Sequence, residues 1–532
     1  MRKLFLVSLV IILVFAFLLG SCGEPEKTTQ PATTQPTTTQ PTSSEPSKSG
    51  GTLKIYYNGE PSNVGKPTLD DNWGTIMQLC AVECLTRADT SGTLHAWLAE
   101  SWEGDADAGT LTVYLREGVK FHDGSDLDAE AVKWNWDQFT AEERIETRNV
   151  ESIDIVDKYT VRANLKQWDN SIYLKLLFIA GKIVSPSAYQ ANGEDAPNIA
   201  VGSGPFTFDY WTPNVGARFV KWDGYRLADE GKPYLDVVEF KFIADSLTAK
   251  TAFMAGEVDV MHNIDGNTAA ELDANPDYIV MNDASGIESF FLHMFFDYGT
   301  EDNPTIWTDI NLRKAVAYAV DSQTLVDTVK SGYAVVTNQW GAPTNWAHSP
   351  NVVGYPYDPD KAREYLALAG YEDGLDTTLY YWTFEQDLLV AIQQMLAEVG
   401  INAEIEAQEP PASYQYVIGG GWNGLLISPK RPDGNIPYRM QLYLGTGAIE
   451  GVGLYHSPAL DAMFEDALAA KDFEAQQAKA WGLQEYLYDD ICHAVPLFVQ
   501  SNLAAKYPYV HDDGFGTTGQ AFWSPESAYM DK

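Results

Sequence analysis

Basic residues are scarce in this chain: 35 Lys and Arg stand against 74 Asp and Glu, a formal net charge of −39. Such a surface repels phosphate, which makes nucleic acid and anionic lipid headgroups poor partners. Cysteine is scarcer still, with Cys22, Cys80, Cys84 and Cys492 the full set. Leaving Cys22 aside, an odd number cannot form a complete disulfide framework. Cys80 and Cys84 lie four apart in a helix predicted over Ile76–Leu85, on one face, where a disulfide is geometrically awkward; both are expected to be small buried hydrophobes. The histidines (His95, His122, His262, His293, His348, His456, His493 and His511) are scattered, without the short pair spacing of a metal clip, so no metal is expected. No GxSxG, HExxH or GxxxxGK[ST] motif occurs, and no repeat of fixed period. Nothing points to a cofactor.

The single long apolar run is Leu4–Leu19, preceded by Arg2 and Lys3 and followed by the small residues Gly20 and Ser21. About sixteen residues fall short of the roughly 20 needed to span a bilayer, and the flanks are those of a secretory signal. Leu19-Gly20-Ser21-Cys22 looks like a bacterial lipobox, in which cleavage leaves Cys22 as a lipid-modified first residue. Glu24–Gly51 is then almost pure Thr, Gln, Pro and Ser, with too little apolar surface to fold. It reads as a tether that lets the body stand roughly 30 Å from its anchor. The remainder is too long for one core and is expected to form two or three domains.

Within that remainder, Leu111, Val113 and Leu115 alternate with polar neighbours as a half-buried strand, Asp123-Gly124 supplies a turn, and Asp128 caps a helix through Ala131, Val132 and Trp134. His122 reads as a satisfied turn histidine. Thr52–Tyr57 is a strand, Ile153–Leu165 two strands around a turn, and Lys232–Asp245 one long strand. Ser246 caps a helix that closes at Gly256 before a strand over Glu257–Met261, so part of the sheet is predicted to be parallel and helix-covered. Asn311–Asp321 is an amphipathic helix burying Leu312, Val316 and Ala319; Asp321 caps another that stops at Gly332. Asp358, Pro359 and Gly370 carry the cap, first-turn and stop signals of a third. Ile287–Phe296 and Ala494–Gln500 are apolar runs suited to strands crossing between lobes.

The wording of several segments is more informative than their pattern. LAESW (Leu98–Trp102), LREGVKFHDG (Leu115–Gly124), VGSGPFTFDYW (Val201–Trp211) and the helices at 311–321 and 358–371, in that order, resemble the signatures of the extracytoplasmic solute-binding proteins of the oligopeptide/dipeptide/nickel class, family 5, which serve ABC importers. The resemblance implies an α/β, two-lobed periplasmic-binding-protein fold, with mixed sheets covered by helices and an extra domain inserted in the first lobe. On that pattern residues 1–21 are the signal, 22–51 the lipidated cysteine and tether, 52–92, 200–285 and 496–532 lobe I, 93–199 the insert, and 286–495 lobe II. It also implies a monomer, lipid-anchored outside the membrane, that captures a small solute in the interlobe cleft and hands it to a permease whose ATPase is a separate chain.

For the ligand, the family's G-W-x-x-D segment, whose Trp packs on a peptide and whose Asp pairs with its α-amino group, is matched to Gly421–Leu425. Trp422 takes the aromatic position and Leu425 stands where the Asp would be, leaving Asp433 as the substitute acid if the loop folds back. Tyr57 and Asn58 from the first-strand loop, and Trp340, Tyr381, Trp382, Phe384, Trp422 and Asn423 from lobe II, complete the candidate cleft lining. A peptide-like solute is the leading expectation. An oligosaccharide, whose ring faces stack on Trp, is the alternative. A secreted glycoside hydrolase is the rival from another class, suggested by the Thr/Pro tether and abundant carboxylates, but no acid pair stands in a catalytic motif and no enzyme is expected.

Overall fold

Three sheets organise the chain, and the two largest are built from strands that are distant in sequence. The computed structural model describes residues 48, 50–69, 72–89, 92–283, 289–300, 302–382, 385–409, 412, 415, 416, 419–431, 434–448, 451–511 and 523–532. The signal, Cys22, most of the tether, Ile287, Phe384 and Asp433 lie outside the described residues. Lys48, Gly50 and Gly51, assigned by sequence to the tether, are instead held to the folded body. The Gly50 N–H donates to the Tyr234 carbonyl (2.7 Å), the Gly51 N–H to the Asp236 carboxylate (3.0 Å), and Lys48 lies over the Tyr529 ring.

The first lobe is a seven-stranded sheet whose centre is Thr52–Tyr57. Val237–Phe242 and Val260–His262 flank that strand, both parallel to it, and the helix Ser246–Met254 joins them. This is the predicted βαβ unit, since a parallel return needs a crossover helix. Its helix is capped by Asp245, which accepts from the Thr248 N–H at 2.7 Å, not by Ser246. The long strand expected over Lys232–Asp245 is confined to Val237–Phe242. One face of the sheet buries Leu53, Ile55, Phe219, Val238 and Phe240 against helix Asn72–Ala81 and the C-terminal Trp523. That helix ends before Cys84, which lies on the short strand Glu83–Cys84; Cys80 and Cys84 are both free and buried.

The insert is a four-stranded antiparallel sheet, Ala99–Asp105, Thr110–Leu115, Thr160–Leu165 and Val150–Asp157 in spatial order, covered by helix Ala129–Ala141. Asp128 caps that helix, accepting from Ala131 N–H at 3.2 Å, and Trp136 and Phe139 fill the space between helix and sheet. The insert is tied to the first lobe by buried polar bonds: Glu83–Cys84 pairs with Lys182–Ile183, Lys182 Nζ reaches the Leu69 carbonyl (3.0 Å), and the His122 N–H donates to Gly202 (2.8 Å).

The second lobe is a six-stranded mixed sheet in the order Ala334–Val336, Ala494–Gln500, Phe291–Phe296, Leu425–Lys430, Leu375–Trp382, Ile401–Gln408. The last three strands run parallel, and helix Gln386–Glu398 is the crossover between two of them. Phe291–Phe296 is buried along its whole length, as a strand covered on both faces must be. Helices Ile310–Ala319, Ser322–Val329 and Pro359–Leu368 pack one face; their caps are Asp309, Asp321 and Asp358, the last two as the sequence signals require.

Candidate functional site

The chain passes between the two large sheets at two adjacent places. Strand Ile279–Asp283 belongs to the first and Phe291–Phe296 to the second; Ala494–Gln500 belongs whole to the second and Asn502–Lys506 to the first. The two passages are tied together, since the Gln500 N–H donates to the Phe290 carbonyl at 2.8 Å and Asn502 Nδ2 approaches Ser289 Oγ at 3.4 Å. A pair of adjoining single-strand passages is the geometry of a hinge.

Ligands of open α/β sheets bind beyond the carboxyl ends of the parallel strands. In the first lobe that rule places Asn58, which is exposed, immediately after the central strand. Tyr57 itself is fully buried, edge-on to Phe240 (5.9 Å between centroids) and 5.3 Å from His262, so it supports the loop from beneath. In the second lobe the carboxyl ends are Trp382, Gln408 and Lys430, and they lie at the end where the chain crosses, because Lys430 pairs with Phe291 and Phe291 with Val499. Trp382 is half-buried and stacked on Tyr381 at 4.9 Å; Tyr381 is interior, and burial drives its hydroxyl pKa far up.

Trp422 and Asn423 stand at the opposite end of that sheet. They precede strand Leu425–Lys430, whose first residue pairs with Phe296, the far end of the crossing strand. The strand carries the chain about 17 Å from there to the crossing end. Trp422 is 3% exposed, donates through Nε1 to the Val452 carbonyl (3.4 Å), and packs in a cluster with Tyr380, Leu426 and Leu454. Asn423 is exposed. Leu425 is fully buried among Phe296, Leu379 and the covering helices. Trp340 is likewise interior, between His293 (5.3 Å) and Tyr443 (5.7 Å). The structure therefore brings Asn58, Trp382, Lys430 and Arg431 towards the boundary of the lobes, and sets Trp340, Tyr381 and Trp422 in the interior.

Several residues at this boundary carry no sequence signal. Lys430 is buried, its ammonium 4.1 Å from the Tyr443 ring centroid and 5.5 Å from that of Phe295, and Arg431 lies over Phe290 at 4.8 Å. Lys330 and Glu385 form a largely buried pair, with both carboxylate oxygens 2.7 Å from Nζ. The charges line up only after the strands are ordered side by side. The nearby imidazoles stay neutral: burial, with the Lys430 charge adding to it, pushes His293 down to about 3, and burial first, then His293 and Arg313, holds His493 well below its usual value. Among the described residues no group of three or more His, Cys, Asp or Glu side chains is arranged to hold a metal ion.

A concavity lies where the insert meets the second lobe. It has a volume of about 410 Å³, and Trp102, Trp168 and Tyr173 from the insert face Trp346, Asn435 and Phe473 from the second lobe. Aromatic faces on both walls suit flat, partly apolar ligands.

A two-lobed α/β molecule hinged by paired crossings, with its candidate site on the lobe boundary, is the architecture of a solute-binding protein. Comparison with known proteins agrees in family and fold. Residues 93–434 match the model of the bacterial extracellular solute-binding proteins, family 5 (middle region), and the chain belongs to that family. It is 33% identical over 333 residues to the glutathione-binding protein GsiB of Salmonella paratyphi A, an alignment that covers 61% of this chain and 63% of that protein, so it spans less than two thirds of the relative. The fold is that of the binding protein CtaP of Listeria monocytogenes (TM-score 0.80, 20% identity, covering 91% of this chain and 100% of that one). It is also that of DppA of Helicobacter pylori, solved with the peptide STSA (TM-score 0.73, 21% identity, 91% and 99%). Among the described residues no helix is long and apolar enough to cross a membrane.

Proposed function

We propose that this protein captures a peptide-like solute between its two lobes outside the cell membrane and delivers it, chemically unchanged, to the permease of an ABC importer. The observation that carries the reading is the pair of tied crossings at Ser289–Phe290 and Gln500–Asn502, which lets the lobes rotate while their cores stay intact. The permease and its ATPase are separate chains, and the protein acts as a lipid-anchored monomer. A relative named for binding glutathione and a structural neighbour holding a tetrapeptide both support a short peptide.

Asn58 and Trp382 are the proposed polar and stacking contacts. Asp433 is the proposed partner of the peptide amino group, in support of which strand Leu425–Lys430 ends at the crossing side three residues before it in sequence. A desolvated ammonium needs such a partner; leaving it unpaired costs several kcal/mol. The aromatic cavity favours one second reading, an oligosaccharide stacked on Trp168 and Trp346.

Mass spectrometry of small molecules released from natively purified protein separates the two. Calorimetry with glutathione, with free and N-acetylated di- to tetrapeptides, and with oligosaccharides then measures them, while solution scattering follows the radius of gyration. The expected result is a short peptide whose affinity falls at least tenfold on acetylation and whose binding compacts the protein. Sugars alone, or binding indifferent to acetylation, would overturn the peptide–Asp433 assignment.

A further inference from the structure

Asn170 bonds across one seam through its backbone N–H, its Nδ2 and its Oδ1. It sits on the insert, 6% exposed, beyond the strand Thr160–Leu165. Its N–H donates to the Leu468 carbonyl at 2.9 Å, and its Nδ2 to the carbonyls of Ala467 (2.8 Å) and Ala470 (3.4 Å). Helix Pro458–Leu468 of the second lobe ends at these carbonyls, and the last carbonyls of a helix lack partners of their own. Asn170 Oδ1 in turn accepts from Asn435 Nδ2 and from Gln476 Nε2, each at 3.0 Å. Asn435 is the N-cap of helix Ile436–Leu444. One amide from the insert thus closes the end of one second-lobe helix and braces the beginning of another. Around it Trp168 Nε1 donates to Ala470, Lys471 pairs with Asp107 at the exposed rim, Leu174 touches Tyr438 and Leu468, and Lys175 lies over Tyr438 at 4.2 Å.

The insert's attachment to the first lobe is of another kind. It includes paired backbone at Glu83–Cys84 with Lys182–Ile183, and the buried bonds of Lys182 and His122. The insert and first lobe therefore make one body. Rotation at the two crossings parts the insert from the second lobe, and the buried bonds of Asn170 part with it. We infer that Asn170 is a positioning residue for solute capture: a latch that holds the insert against the second lobe in the closed protein and sets the balance of open and closed forms. The inference uses the hinge of the proposed function but not the identity of the solute, so it is tested on the solute-free protein.

The three native thiols among the described residues, Cys80, Cys84 and Cys492, are buried, which leaves labels free to report from added cysteines. Glu151→Cys on the insert and Ala397→Cys on the second lobe, both exposed positions, take spin labels for distance measurement. Asn170→Ala removes the side-chain bonds and should raise the open-to-closed ratio about tenfold, from the usual worth of buried hydrogen bonds. Asn170→Asp should open the protein further, because a carboxylate cannot donate to the Ala467 and Ala470 carbonyls and meets the negative end of a helix. The thermal midpoint should move little, since the freed carbonyls are hydrated once the seam parts. The overturning result is a distance distribution unchanged in both variants, or one in which Asp closes the protein more than Ala. Failure of the peptide assignment would leave this outcome untouched, and failure here would leave that assignment standing.

Discussion

Four histidines sit where water hardly reaches, and each is held neutral by burial. His122 donates through its Nε2–H to the Gly204 carbonyl (2.9 Å) and lies edge-on to Trp222, in the turn role its place in LREGVKFHDG suggested. Burial pushes it down to about 4, despite the carbonyl and Asp123 pulling the other way; His262 and His293 fall to about 3, and His493 is also well down. An unfolded histidine titrates near 6.5. With the folded values depressed, the unfolded chain binds more protons below that pH, so the stability these residues contribute is complete above 6.5 and is lost as pH falls toward 4 and below. For His122 alone the loss is about 3 kcal/mol by pH 4. Urea unfolding at pH 7 and 4.5 should therefore show a steep fall, and His122→Gln, which keeps a donor for Gly204, should fall by roughly 2 kcal/mol less. Parallel falls in variant and parent would mean that His122 is already charged in the native protein.

At the scale of the element, the second-lobe strand Leu425–Lys430 decides which aromatics stand at the crossing end of the sheet. Trp422 lies before it and Trp382 at the crossing end of its parallel neighbour. Trp422→Ala should cost about 3–5 kcal/mol of stability as a buried indole lost from a packed cluster, with solute affinity of the folded protein unchanged. Trp382→Ala should cost much less stability and weaken solute binding about tenfold through lost stacking. A Trp422→Ala protein that folds normally and binds poorly would reverse the assignment. The helix caps at Asp128, Asp321 and Asp358 were legible because a cap is a local bond, complete within four residues. The cap at Asp245 and the end of helix Asn72–Ala81 before Cys84 were misplaced by one to a few residues, since Ser246 carries an equal local signal and Cys84 is drawn into pairing with Lys182. Gly424, at φ +134° and too close to the Thr378 carbonyl for a Cβ, leads into strand Leu425–Lys430, which leaves Trp422 at the end of the sheet away from the crossings.

For the whole molecule, the anchor is the prediction that belongs to no single fold element. If Cys22 carries lipid, Cys22→Ala should appear in the soluble fraction or as an unprocessed precursor on gels and by intact mass. Wild-type fractionation and mass would refute the lipidation. Sequence by itself determined the class of protein, because the order of short strand–turn–helix phrases is a one-dimensional property that survives without coordinates. It determined the element types for the same reason: alternation, caps and stops act over a few residues. Tertiary structure alone decided which residues share the lobe boundary. Asn58 follows a strand of one sheet and Trp382 and Lys430 end strands of another, and only sheet order turns them toward the same boundary. Asn170, an unremarkable letter after Trp168-Asp169, gains its role from two helices that begin and end some 265 and 297 positions away. Long-range pairing of this kind is fixed by the burial of whole sheet faces, a sum over many side chains that no local pattern contains.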